Sequence, residues 1–182
     1  VAERIAIDSY REFIAFLDDD DVWLPGHVRP HIAFLDAHAD HDAVFGQIVT
    51  ADENLTPITT PWPDRLPEDG DVFHHMLQGY FPQVGATLMR RKMLDTYGLM
   101  DETLIGDSDW DWQLRVARNH KIGFVRSACV LFRQRTMGSF DKLQLKRTRY
   151  TRKIFMRHAM ADLRRWRGPI SFLRSNFGAV ST

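Results

Sequence analysis

The chain has 182 residues, 44% of them hydrophobic, with one cysteine and a formal net charge of zero. That suffices for one sizeable core with an appendage. No run of 18 apolar residues offers a spanning helix, no signal peptide is visible, and one cysteine excludes an internal disulfide. Cys129 lies in an apolar stretch, which predicts a buried thiol and a reducing, cytoplasmic setting. The zero net charge hides an asymmetry. From residue 141 onward 11 Lys and Arg face two Asp, whereas residues 1–140 hold 13 Lys and Arg against 22 Asp and Glu. An acidic body carries a basic tail.

In chain order, strand and helix patterns alternate. Residues 2–10 read as a helix and 13–17 as a strand. A helix is predicted over 26–39, with Pro30 tolerable only near its first turn. A second strand covers 42–51. The stretch 54–70, with Pro57, Pro61, Pro63 and Pro67, reads as a surface loop. A short helix over 71–79 and a third strand over 84–89 follow. In that strand Gly85, Ala86 and Thr87 are small enough to let a ligand approach the backbone. A helix over 91–97 stops at Gly98. An amphipathic helix is expected over 110–120, short strands over 122–125 and 128–132, and a long basic helix over 143–167. The fold class is therefore α/β, a mixed sheet flanked by helices, with a domain at 1–140 and a basic helical extension at 141–182.

The most informative stretch is Phe16-Leu17-Asp18-Asp19-Asp20-Asp21-Val22-Trp23. A strand that ends in a carboxylate cluster concentrates negative charge at a sheet edge. Hard divalent cations are bound by such oxygens, often together with a substrate's phosphates. The competing reading is an acidic turn that caps the next helix. A second acidic segment, Asp107-Ser108-Asp109-Trp110-Asp111-Trp112, lies about 90 residues on. A carboxylate at a helix N-terminus is fixed and favoured in its ionised form, which suits a general base; a plain N-cap is the alternative for Asp109.

Between these segments lie Gly85-Ala86-Thr87-Leu88-Met89-Arg90-Arg91 and Tyr97-Gly98-Leu99-Met100-Asp101-Glu102. Taken in order, the set over residues 1–140 resembles family 2 glycosyltransferases of the GT-A fold. The resemblance implies inverting, metal-dependent transfer from a nucleoside-diphosphate sugar to a glycan or lipid-linked acceptor. It makes Asp18 and Asp20 the Asp-x-Asp pair. Asp20 would contact Mg²⁺ or Mn²⁺, and Asp18 the ribose side of the donor. Asp21 would orient the turn, Asp109 would be the general base, and Trp110 and Asp111 would shape the acceptor side.

Some positions depart from the family pattern. Ser108 stands where Glu is usual. Arg135 stands where many members have His; it cannot ligate a metal but can bind diphosphate directly. The Gln-x-x-Arg-Trp pattern of processive synthases is missing, which points to single-sugar transfer. The strands that open family members have no counterpart before Val1, so the expectation is an N-terminally incomplete GT-A-like sheet. An exposed sheet edge of that kind favours a homo-oligomer. A non-catalytic interaction module that keeps part of the fold is the rival reading.

Among the remaining constellations, His38, Asp40, His41 and Asp42 read as a solvated loop rather than a metal site. Trp62, in the proline-rich loop, is the best sugar-stacking candidate among the tryptophans. The basic segment from Lys146 admits peripheral membrane contact, a helix packed on the acidic body, or nucleic-acid binding; for the last it lacks any recognised module, and none is expected.

Overall fold

The structure is a computed structural model that describes residues 12–64, 70–78, 82–104, 106–134 and 141–161, with side chains of the last segment described for 148–160. The expected helix over 2–10, Arg135 and the tail beyond 161 lie outside the described residues.

Among the described residues five strands form one mixed sheet: β1 (Phe13–Ala15), β2 (Val22–Trp23), β3 (His41–Ala51), β4 (Thr87–Arg90) and β5 (Lys121–Arg133). Their spatial order is β1-β4-β3-β5-β2. Only the β3–β5 pair is parallel; the others are antiparallel. A parallel pair needs a long crossover. Here it contains helices α2 (Phe73–Leu77), α3 (Lys92–Tyr97) and α4 (Ser108–Ala117). Helix α1 (Val28–Ala37) joins β2 to β3, and α5 (Asp141–Ala161) follows β5. This is the expected α/β architecture, a partial GT-A-like sheet with flanking helices.

The near-continuous apolar run of β3 explains its central place, since a strand covered on both faces need not alternate. Val44 packs with Leu35 of α1 and Leu88 of β4 on one side. Ala43, Phe45 and Met89 face the larger core, with Phe73 and Met76 of α2, Trp110, Trp112 and Leu114 of α4, and Ile154 and Phe155 of α5.

Sequence patterns placed most elements, and the differences have local causes. The first three residues of the expected strand 84–89 form a 3₁₀ turn, Val84–Ala86, because the Gln83 side chain captures the Gly85 N–H. The two short strands expected over 122–132 are one strand; the polar residues Arg126 and Ser127 sit at a bulge, where β3 and β5 shift register between Phe45 and Gln47. Helix α4 starts at Ser108, after Asp107 in the left-handed region (φ 57°). Asp109 is thus inside the first turn rather than at the cap. The strand pair β2–β5 was not foreseen, because two residues carry no periodicity.

The loop reading of 38–42 also needs correction. His41 and Asp42 are buried. Asp42 pairs with Lys92 and with His120 Nδ1, and Asp40 pairs with Lys121 Nζ at 2.8 Å. These are contacts that brace the start of β3.

The fit of α1 on the sheet is tight at one glycine. A Cβ at Gly123 would lie 2.0 Å from the Phe34 ring. Gly123→Ala is therefore expected to cost about 1–3 kcal/mol through overpacking. That should lower Tm by roughly 5 °C, read by calorimetry. An unchanged Tm would mean that Phe34 swings aside freely.

Candidate active site

Strand β1 delivers the chain into the acidic turn. Phe16 is buried, and its ring meets Trp112 of α4 edge-on with centroids 6.1 Å apart. The turn closes with the Asp21 N–H donating to the Asp18 carbonyl at 3.2 Å. Strand β2 then pairs Val22 with Leu131 and Trp23 with Val130. Both ends of the four-aspartate segment are thereby fixed to different parts of the sheet.

Two residues, Gln83 and Arg133, hold the turn. Gln83 Nε2 donates to Asp18 Oδ2 at 3.1 Å and to Asp21 Oδ2 at 3.0 Å. The Arg133 backbone N–H donates to Asp21 Oδ1 at 2.9 Å, and Arg133 Nε donates to the Asp20 carbonyl at 2.8 Å. Arg133 also reaches the Glu53 carbonyl through Nη1 at 2.9 Å. Asp21 is 7% exposed, whereas Asp19 is exposed and Asp18 and Asp20 are half-buried.

Burial pushes the Asp21 carboxyl up to about 6. The Arg133 backbone N–H opposes that shift, the Asp18 and Asp20 charges add to it, and the Arg133 charge again opposes it. The neighbouring carboxylates are thus close enough to repel one another's charge. Asp21 buttresses the turn from inside, and Asp18 and Asp20 stand further out.

Gly85 lies beside the turn. Its N–H donates to Gln83 Oε1, and its carbonyl accepts from Trp23 Nε1 at 2.8 Å. A Cβ there would come within 2.8 Å of Gln83 Oε1. The small residue at 85 leaves room for the glutamine that grips Asp18 and Asp21.

Helix α4 is tied to the same turn. Trp112 touches Phe16, and Gln113 Nε2 donates to the Pro82 carbonyl at 3.0 Å, next to Gln83. Asp109, Trp112 and Gln113 are spaced i, i+3, i+4 and share one helix face. Asp109 therefore lies on the face of α4 that meets Phe16 and Pro82, one helical turn before those contacts. Its side chain is half-buried, less open than its sequence position suggested.

Trp110 and Asp111 point elsewhere. Trp110 is buried with its indole N–H on the Met76 carbonyl at 3.0 Å. Asp111 is 0% exposed and meets Arg157 Nη1 and His158 Nε2, each at 2.9 Å, and Arg115 Nε at 3.2 Å. Both residues fix α4 in place from behind. Asp107 accepts from Thr151 Oγ1 at 2.6 Å, and Arg118 Nη2 donates to the His158 carbonyl at 2.9 Å. So the described part of the basic helix packs on the acidic body. Arg149, Arg152, Lys153, Met156 and Met160 are exposed on α5. No helix among the described residues is long and apolar enough to cross a membrane.

Trp62 is 48% exposed, with its backbone paired to Ile48. A shallow depression lined by Glu12, Ala39, Arg90, Arg91 and Lys92 sits at the far end of β4 from Gly85.

The residues from 8 to 98 match the model of glycosyl transferase family 2. This chain belongs to glycosyl transferase family 2. The matched stretch contains the acidic turn, β3, Gln83 and Gly85, and it ends before α4. The family 2 chain is also 26% identical over 161 residues to YwdF of Bacillus subtilis (strain 168), described as an uncharacterized glycosyltransferase. That alignment covers 82% of this chain and 56% of the relative, so it necessarily runs through α4. The family 2 chain thus spans little more than half the length of that relative.

The sequence singled out the aspartates of the turn but not Gln83 or Arg133, which hold it. Gln83 carries no motif. Arg133 had one signal, its place at the end of an apolar strand beside Gln134 and Arg135.

Proposed function

We propose that this family 2 chain takes part in moving a sugar from a nucleoside-diphosphate sugar to an acceptor hydroxyl of a glycan or lipid-linked acceptor, with inversion and with a divalent metal. The observation that carries the reading is that Phe16 and Pro82, beside the acidic turn, both meet the face of α4 that bears Asp109. The donor set of the turn is carboxylate oxygen, which suits a hard divalent cation; Asp21 is raised chiefly by burial, and a cation would relieve the smaller part that the Asp18 and Asp20 charges add. Asp18 and Asp20 would hold Mg²⁺ or Mn²⁺, which when bound supplies positive charge beside the departing diphosphate.

The chain's own residues do the rest. Gln83 and Arg133 keep the turn in one conformation, so little ordering remains to be done when donor arrives. Asp18 faces the ribose side, and Arg135 pairs with diphosphate oxygens. Asp109 accepts the proton of the acceptor hydroxyl as its oxygen attacks the sugar carbon. One base and one attacking oxygen make a single displacement, which inverts the anomeric centre.

Asp109→Asn tests the assignment. It keeps the shape of the side chain but removes its basicity. Donor binding, followed by thermal shift with UDP- and GDP-sugars, should be unchanged, because the substitution spares the turn. Sugar transfer should fall by about 10²–10⁴-fold. Transfer at the unsubstituted rate would exclude Asp109 as the base.

A further inference from the structure

We propose that His27, His31 and Cys129 form a second metal site, of zinc type, behind the acidic turn. His27 immediately precedes α1, His31 lies one turn later on it, and Cys129 comes from β5. All three are buried, with His27 only 3% exposed. One donor atom from each lies within 4.8 Å of the others. A tetrahedral zinc site has Zn–N of about 2.0 Å and Zn–S of about 2.3 Å, so ligand atoms stand about 3.5 Å apart. The donor atoms would have to draw together by about an ångström to hold the ion.

Three features point to a ligand. First, neither ring nitrogen of His27 has a hydrogen-bond partner among the described residues, although the ring is buried. Buried polar atoms are rarely left so. Second, both nitrogens of His31 face carbonyl oxygens. Nδ1 is 2.6 Å from the His27 carbonyl, and Nε2 is 3.2 Å from the Ala86 carbonyl. A neutral imidazole has one N–H. The closer Nδ1 donates it, which leaves the Nε2 lone pair directed at an oxygen. An N–H on a backbone carbonyl with the opposite nitrogen on the metal is the usual arrangement of a metal-bound histidine, and to adopt it Nε2 would turn from the Ala86 carbonyl to the ion. Third, the backbone of β3 comes close to the cluster. A Cβ at Gly46 would be 2.8 Å from Cys129 Sγ and 3.0 Å from His31 Cε1. The missing side chain at 46 makes room for the donors.

Two imidazoles and a thiolate form a borderline-soft donor set. It suits Zn²⁺ and disfavours Mg²⁺ and Mn²⁺, which prefer oxygen. The two metal sites would therefore sort different ions. The second site also bears on the first through the chain. The Trp23 ring lies 5.1 Å from His27, its indole N–H holds the Gly85 carbonyl, and the Leu24 N–H donates to the Cys129 carbonyl. A metal there cross-links the segment that leaves the acidic turn to β5. The inference does not depend on the glycosyl-transfer reading.

The chain's single cysteine makes the test clean. Metal-stripped protein is titrated with Co²⁺ and read by absorption. A thiolate-to-cobalt charge-transfer band can arise only at Cys129; cobalt at the aspartates gives none. The expected result is a band that saturates at one equivalent, is displaced by Zn²⁺ and is absent in Cys129→Ala. His27→Ala should weaken cobalt binding at least tenfold, and it serves as the second variant if Cys129→Ala does not fold. Zn²⁺ should raise the Tm of the unsubstituted chain by more than it raises that of His27→Ala. Absence of the band in the unsubstituted protein, or equal affinity in His27→Ala, overturns the proposal.

Discussion

Asp20→Ala is expected to abolish Mn²⁺-dependent binding of UDP or GDP while leaving the fold intact. The two halves of this expectation have separate physical grounds. Asp20 contributes its backbone carbonyl to the clamp, at 2.8 Å from Arg133 Nε, and alanine keeps that carbonyl. The Asp20 charge repels Asp21, so removing it eases the buried carboxyl. Tm should therefore hold or rise slightly. Binding should suffer much more. A hard cation that loses one carboxylate from a short acidic turn loses a large share of its charge compensation. A weakening of a hundredfold corresponds to about 2.8 kcal/mol, and the diphosphate follows the metal. Calorimetric titration with and without EDTA decides it. Equal nucleotide binding by Asp20→Ala, undiminished by EDTA, would remove the metal role of the turn.

Asp111→Asn should instead destabilise the fold without a special effect on the acidic turn. Asp111 is completely buried among Arg115, Arg157 and His158. Burial opposes its ionisation. The His158 hydrogen bond and the His158, Arg157 and Arg115 charges outweigh that and hold its carboxyl below the usual value of 3.8. Breaking one partner of such a cluster costs about 3–5 kcal/mol, because the remaining charges lose their compensation. For a chain of this size that is roughly a 10 °C fall in Tm.

The pH dependence follows from the sign of the shift. A carboxyl with a depressed folded-state pKa contributes stability above its unfolded value and loses it as pH falls through the folded one. The Tm gap between Asp111→Asn and the unsubstituted chain should therefore be full at neutral pH and shrink below pH 3.8. A gap under about 1 °C at neutral pH would show that α5 docks without this cluster.

The fate of Asp109 and Asp111 illustrates how far residue patterns reach. Both lie in one acidic segment and look alike on paper. Two positions along a helix rotate a side chain by about 200°, given 3.6 residues per turn. One therefore lies on the face that meets Phe16 and Pro82, and the other faces α5. Which face is which depends on where α5 and β1 lie, and no local pattern specifies that. The same holds for the histidines. His27 and His31 are an unremarkable i, i+4 pair until β5 brings Cys129 beside them across about a hundred residues of chain.

Most of the order of strands and helices (though not the two-residue β2), the acidic turn after an apolar strand and the segregation of basic residues into a last helix follow from periodicity and composition. Those signals are local, because burial on one face repeats every two or 3.6 residues. The crossing of β3 with β5 and the clamp on Asp18 and Asp21 belong to the tertiary structure alone, as do the burial of Asp111 and the His27, His31 and Cys129 cluster. Each joins residues remote in sequence, where contact is decided by how the sheet and helices pack and not by the spacing of neighbours along the chain.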